Sequence, residues 1–223
     1  DHDHHDDDEC CHCARIRAHC APIAPSDATN DLLIPRQGWD HGEMTAPAPA
    51  SRQPARTRIF LPVLILLGVM WALEFIDLIL PADLDYWGIH SRDAAGLFGI
   101  PLAPFLHGGF DHLLANTLPF LILGTLVAWR AGGAFWSIAI IIILLGGAGV
   151  WLFGPGNAIT IGASGLVFGF LGYLLVLGIL TRNWVDILVS VGVLLIYGSL
   201  LLGATPFGVP SGVSWLAHLC GFA

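Results

Sequence analysis

Four polar side chains stand near the start of otherwise apolar stretches of the sequence: His112, Asn116, Ser164 and His218. A serine hydroxyl beside an imidazole can act as a nucleophile, because the imidazole takes its proton and later returns it to a leaving amine. His112 and Asn116 are four residues apart and therefore share one helical face. Together with the Ser164 N–H they could donate hydrogen bonds to an oxyanion. These residue types predict nucleophilic acyl transfer.

The elements that must position these residues are membrane-spanning helices. The 223-residue chain is 55% hydrophobic and only 12% charged, about half the charged fraction of a soluble domain. A spanning helix needs roughly 20 apolar residues. Five stretches reach that length: Ile59–Leu80, Asp111–Arg130, Ala134–Phe153, Ile161–Leu180 and Trp184–Gly203. A sixth begins near Ser214 and is expected to be truncated. The sequence thus predicts an all-α, polytopic membrane bundle that is C-terminally incomplete.

Arginine placement predicts the orientation of the bundle. Basic residues stand before span one, after span two and after span four: Arg52, Arg56, Arg58, Arg130 and Arg182. Basic residues are enriched in cytoplasmic connections. We therefore expect a cell-membrane protein with a cytoplasmic N-terminus, in which spans two, four and six start at the outer face.

This alternation puts all four polar side chains at one depth, roughly 5–12 Å below the outer ends of their helices. Each also has a purely structural interpretation. A helical serine can bond its hydroxyl to the carbonyl four residues back, and the His112–Asn116 pair could join two helices. Because polar residues inside spans are costly and are functional hypotheses by default, their common depth favours a site.

Small residues predict that two of these helices pack closely. Span four carries Gly162, Gly165 and Gly169, and in span six Ala217 and Gly221 lie on either side of His218. Such small-xxx-small steps let helix backbones approach each other. We expect this packing to bring His218 to Ser164. Spans four and six, which carry the serine and the histidine, contain no carboxylate, and this favours a dyad over a triad. His107, beside two glycines, is expected to fix a loop rather than to catalyse.

Three segments, in this order, resemble the rhomboid family of intramembrane serine proteases: His107–Asn116, Gly162–Gly165 and Ala217–Gly221. The resemblance runs from about Ile59 to Ala223. Each motif alone is weak, but their order on spans two, four and six is specific. The resemblance implies a six-helix core.

The family resemblance also implies roles for individual residues. Ser164 would be the nucleophile and His218 its general base, with His112, Asn116 and the Ser164 N–H forming the oxyanion hole. The implied reaction is cleavage of a single-pass membrane protein near the outer end of its transmembrane helix, usually beside a small residue. No metal or cofactor is implied.

This chain departs from the family pattern at two places. Many rhomboids have tyrosine four residues after the nucleophile, where this chain has Phe168, which keeps the ring and loses the hydroxyl. A Trp-Arg pair common in the first outer connection is replaced by Leu97–Ile100. Phe168 and the short sixth span leave an alternative open, namely a catalytically inactive rhomboid-like protein that binds transmembrane helices.

Other features suggest weaker hypotheses. Glu74 and Asp77 lie three apart on one face of span one and could serve a small transporter, although bonding near the helix end explains them as well. Residues 1–58 are predicted to be a cytoplasmic, disordered tail, rich in His, Asp and Cys and followed by a Pro/Ala linker. The tail has metal ligands, but their spacing matches no structural zinc module, so we expect no specific metal site. The net charge of −8 argues against nucleic acid.

Overall fold

Long apolar helices alternate with short connections in the computed structural model, which describes residues 57–80, 83–209 and 212–223. In chain order the helices are α1 (Thr57–Ile79), α2 (Gly99–Leu102), α3 (Phe110–Ala131), α4 (Phe135–Phe153), α5 (Ser164–Thr181), α6 (Trp184–Tyr197) and α7 (Trp215–Phe222). All but the last two residues of the predicted tail, with its metal ligands, lie outside the described residues.

The predicted membrane architecture is confirmed. Four described stretches are long and apolar enough to cross a membrane: Ile59–Ile79, Phe110–Phe153, Ser164–Thr181 and Trp184–Ala204. The second stretch is 44 residues long and contains both α3 and α4, so the four stretches correspond to the five long spans expected from the sequence. The protein is a multi-pass helical membrane protein.

Local sequence explains where the helices begin and end. The chain turns between α3 and α4 at Gly132, whose φ of 54° favours glycine and whose N–H bonds to the Ala128 carbonyl. The side chains of Asn183 and Ser214 cap the N-termini of α6 and α7 by accepting backbone N–H groups. Span five differs from expectation, because its last turns, Gly198–Ala204, are 3₁₀ rather than α-helical.

Residues 89–91, in the connection between α1 and α3, are tied to α4 and to the α4–α5 connection. Two short strands, β1 (Ile89–His90) and β2 (Ile159–Thr160), pair antiparallel with Ile89 opposite Thr160. Ser91 Oγ adds a hydrogen bond of 3.1 Å to the Val150 carbonyl at the end of α4. Because β2 leads directly into the turn before α5, this pairing fixes the approach to Ser164.

Helix α5 is central and the span containing α6 is peripheral. Half of the α5 span is buried, against 6% of the Trp184–Ala204 span. The Phe170 ring of α5 packs against Phe120 of α3 and Phe135 of α4, each with 5.7 Å between ring centroids. From Leu166 to Gly172, α5 is therefore buried among the other helices.

A buried ion pair holds the end of the bundle where α6 begins. Asp186 of α6, only 2% exposed, accepts hydrogen bonds from Arg130 of α3 and from the Thr181 hydroxyl of α5. A buried charge is tolerated when it is paired and hydrogen-bonded. The pair therefore joins three helices at the end opposite Ser164.

Three carboxylates, Asp77, Asp83 and Asp85, lie within 4.8 Å of one another where α1 joins the following connection. Burial, and then the neighbouring charges of Asp77 and Asp83, raise the pKa of Asp85 from 3.8 to about 6. A carboxyl with a raised pKa in the folded chain binds its proton more tightly when folded. We predict that this group makes the protein more stable as the pH falls from about 7 to about 4.

Thermal unfolding in detergent across that pH range tests the prediction. Asp85→Asn should raise the unfolding midpoint near neutral pH and flatten its pH dependence relative to the parent protein. Asp111→Asn, which removes an exposed carboxylate outside the cluster, is the matched control and should leave the slope unchanged. Equal slopes for Asp85→Asn and the parent protein would contradict the prediction.

Candidate active site

Ser164 is the first residue of α5. Gly162, with φ of 109°, turns the chain from β2 towards the helix, so the helix begins three residues later than the predicted span. The Ser164 N–H is among the first N–H groups of the helix, which have no intrahelical partner. No helical turn precedes Ser164, so its hydroxyl has no helical carbonyl four residues back to bond. The structural interpretation offered for a mid-helix serine therefore does not apply here.

Gly162 lies in this turn rather than in the α5 helix, and its close neighbour is a histidine. A Cβ at this position would stand 2.7 Å from Cε1 and 2.8 Å from Nε2 of His112. The His112 ring therefore lies directly against the backbone two residues before Ser164. This contact replaces the helix-packing role expected for Gly162.

His107 holds the same turn from a second direction. Its Nε2 accepts a hydrogen bond from the Ala163 N–H at 3.3 Å, and its ring meets that of His112 edge-on, with centroids 5.2 Å apart. This contact fits the loop-fixing role expected for His107. The two histidines together fix the backbone immediately before Ser164.

His107 must be neutral to make this contact, because a protonated Nε2 cannot accept a hydrogen bond. The ring is 1% exposed. Burial, and then the neighbouring His112, lower its pKa from 6.5 to about 4. Its Nδ1, which carries the proton in this tautomer, has no hydrogen-bond partner in the described part of the chain. His107 therefore keeps its hydrogen bond to the turn at neutral pH.

Asn116 is buried one turn after His112 on the same face of α3. Its side-chain amide donates one hydrogen bond, of 3.2 Å, to the His112 carbonyl. An asparagine amide has two hydrogens to donate. No second hydrogen bond from this amide is found among the described residues.

Helices α5 and α7 pack through the predicted small residues. A Cβ on Gly165 would lie 3.3 Å from the Ala217 carbonyl oxygen, and a Cβ on Gly221 would collide with the Gly165 carbonyl. A Cβ on Gly169 would collide with Ile142 of α4 and would lie 2.9 Å from the Gly221 carbonyl. Only glycine permits this approach of the two backbones.

His218 is thereby held beside α5. Its ring is 7% exposed and stacks on Phe168, with centroids 4.2 Å apart and an interplanar angle of 5°. Phe168 lies one helical turn after Ser164, so the imidazole stands along α5 one turn from the serine. Its Nδ1 donates a 2.8 Å hydrogen bond to the Gly203 carbonyl. Among the described residues no hydrogen bond joins Ser164 Oγ to His218.

Sequence reasoning missed Gly203. Its contribution is a backbone carbonyl, which no side-chain motif reveals. By contrast, Asp77 of the transporter hypothesis accepts a 2.7 Å hydrogen bond from the Leu84 N–H, which fits the local bonding considered as its alternative.

The fold defines the general class: a multi-pass helical membrane protein whose serine and histidine stand on two closely packed helices. Residues 94–223 match the family described as Rhomboid domain. The chain belongs to the rhomboid family.

Curated relatives extend this finding. Uncharacterized proteins of Mycobacterium bovis and Mycobacterium tuberculosis are each 43% identical over 166 residues, which cover 71% of this chain and 69% of the relative. RHOMBOID-like protein 4 of Arabidopsis thaliana is 34% identical over 125 residues, covering 53% of this chain and 30% of the plant protein. The chain is thus similar both to uncharacterized mycobacterial proteins and to a rhomboid-like protein of a plant.

Proposed function

We propose that this protein is an intramembrane serine endopeptidase that uses a Ser164–His218 dyad. One observation carries the proposal: glycine-mediated packing of α7 on α5 seats the buried His218 ring on Phe168, one turn from Ser164. An imidazole is the usual general base for a serine nucleophile. The stacking also accounts for Phe168, because the ring supports the histidine without needing a hydroxyl.

The reaction proceeds in two steps. Ser164 Oγ attacks a substrate peptide carbonyl while His218 takes its proton, and His218 then returns that proton to the leaving amine. Water, deprotonated by His218, attacks the resulting acyl-enzyme and releases the new carboxyl end. The enzyme regains its serine hydroxyl, and neither step requires a metal or cofactor.

Stabilisation of the oxyanion comes from the groups gathered at the start of α5. The Ser164 N–H has no intrahelical partner, Asn116 has a second amide hydrogen, and the His112 ring lies against the preceding turn. Fixed donors of this kind lower the barrier most in a site that excludes bulk water. Loss of one typically costs about a hundredfold or more in rate.

The substrate is a single-pass membrane protein, cut near the outer end of its transmembrane helix. The arginine distribution supports a cytoplasmic N-terminus in the cell membrane, with Ser164 near the outer face. A cavity of about 40 Å³ beside the Ser164 turn, lined in part by Gly162, Gly165 and Ala217, has room for a small apolar side chain. Poor helix formers near the cut would expose the peptide bond.

A second candidate is a rhomboid-like protein that binds transmembrane helices without cutting them. The missing Ser164–His218 hydrogen bond favours it. Catalytic hydrogen bonds are often long or absent without substrate and tighten in the complex. The geometry therefore remains compatible with cleavage, and the two candidates differ in product formation.

Reconstitution of the protein in liposomes tests the proposal, with a model transmembrane substrate that carries glycine near its outer end. We expect two product fragments, and covalent modification of Ser164 by a small serine-reactive electrophile, located by mass spectrometry. Modification should be lost in His218→Ala. Substrate binding with neither product nor modification would contradict the protease proposal and favour a protein that binds transmembrane helices without cutting them.

A further inference from the structure

The hydrogen bond between His218 and Gly203 determines which ring nitrogen is free. A carbonyl oxygen only accepts hydrogen bonds, so His218 Nδ1, at 2.8 Å from the Gly203 oxygen, must carry a proton. In the neutral ring Nε2 is then bare and is the nitrogen that can accept a proton. Neutral histidine in water favours the opposite tautomer, with the proton on Nε2, so this contact selects the tautomer that a base needs.

The sequence leaves the Gly203 carbonyl free for this role. In the 3₁₀ segment Gly198–Ala204, each carbonyl is normally taken by the N–H three residues later. Three residues after Gly203 stands Pro206, which has no N–H to donate. The neighbouring Leu202 carbonyl, by contrast, accepts the Thr205 N–H at 3.0 Å.

Glycine is also the residue that lets this backbone approach the histidine. A Cβ at position 203 would stand 3.3 Å from Phe168 Cζ and 3.4 Å from His218 Nδ1, closer than most Cβ contacts. Any side chain here would press on both stacked rings. The Gly203 backbone therefore meets the Nδ1 edge of a ring whose face is already covered by Phe168.

We propose that Gly203 is a positioning residue whose carbonyl takes the place of the third, orienting member of a catalytic triad. It acts on the reaction through His218, by fixing the tautomer and the plane of the ring. The orienting group comes from the segment after α6, so three helices contribute to the dyad. This role rests on the proposed proteolysis, but the tautomer it predicts can be observed without any substrate.

The first test is solid-state ¹⁵N NMR of the protein, labelled with ¹⁵N-histidine, in liposomes near neutral pH. The signal absent from a His218→Ala sample identifies His218 among the 10 histidines. We expect a protonated Nδ1 and a bare Nε2 in the parent protein. Protonation at Nε2 instead would overturn the proposal, whether or not the protein cleaves substrate.

The second test compares variants. Gly203→Ala keeps the carbonyl, but its Cβ would press on Phe168 and His218 and displace that carbonyl from Nδ1. The His218 signals should therefore shift towards the other tautomer, and kcat should fall about tenfold to a hundredfold with KM little changed, as disturbance of an orienting partner typically does. Pro206→Ala keeps the glycine and gives its carbonyl a competing N–H, so a smaller shift in the same direction is expected. Gly192→Ala, whose Cβ enters open space on α6, is the matched control and should behave as the parent.

The outcomes separate this proposal from the proteolytic one. If the parent protein neither cleaves substrate nor is modified at Ser164, the proposed proteolysis is wrong. The His218 tautomer still tests whether the Gly203 carbonyl orients the ring. If the parent cleaves substrate but the His218 tautomer is unchanged in Gly203→Ala and Pro206→Ala, Gly203 is not a positioning residue. This holds even if the kcat of the variants falls. If Gly203→Ala does not fold, the parent spectrum and the spectrum of Pro206→Ala decide whether Gly203 positions His218.

Discussion

Replacing Ser164 with alanine should lower the rate of substrate cleavage by about 10⁴-fold or more, since loss of a catalytic serine removes the covalent pathway altogether. The thermal unfolding midpoint should change little. Ser164 is half-buried at the first position of α5, and its hydroxyl makes no hydrogen bond within the described residues that the substitution would remove. Cleavage assays in liposomes and thermal unfolding in detergent measure the two effects.

Ser190 provides a matched control with the opposite expectation. Its hydroxyl donates a 2.6 Å hydrogen bond to the Leu174 carbonyl, joining α6 to α5 away from the site. Ser190→Ala should lower stability by about 1 kcal/mol and leave cleavage unchanged. Cleavage that persists in Ser164→Ala would show that another group is the nucleophile.

The helices, and the end of the bundle at which the candidate site residues lie, were predictable because short sequence patterns determine them. Each span is an apolar stretch of membrane length, and its ends carry glycine or capping side chains, such as Gly132 and Asn183. Once the spans are placed, their alternating direction brings the starts of α3, α5 and α7 to one end. The common depth of His112, Ser164 and His218 follows from that alternation.

The contacts that complete the site depend on backbone geometry, which residue types report poorly. Strands β1 and β2 have two residues each, too few for an alternating pattern. The turn at Gly162 requires a positive φ. From the sequence, a glycine needed for such a turn looks the same as a glycine needed for close helix packing. Gly203 contributes only a backbone carbonyl. The sequence indicates that this carbonyl is free only through Pro206, which has no N–H to bond to it.

The close contact of α5 and α7 predicts a large effect from adding one methyl group. In Gly221→Ala the new Cβ would collide with the Gly165 carbonyl, so α7 must move away from α5. His218 lies three residues earlier on α7 and would move with it. A displacement of about 1 Å at a reacting group can cost a hundredfold in rate, and overpacking typically costs about 1–3 kcal/mol of stability.

We therefore expect Gly221→Ala to lower kcat by about a hundredfold and to lower the unfolding midpoint, with Ser164 modification by the electrophile slowed in proportion. Gly192→Ala is again the control, because its Cβ meets nothing within 4 Å and alanine favours the helix. If Gly221→Ala cleaves as fast as Gly192→Ala, the two backbones are not in contact during turnover. His218 would then need some other means of reaching Ser164, and the packing of α7 on α5 could no longer support the dyad.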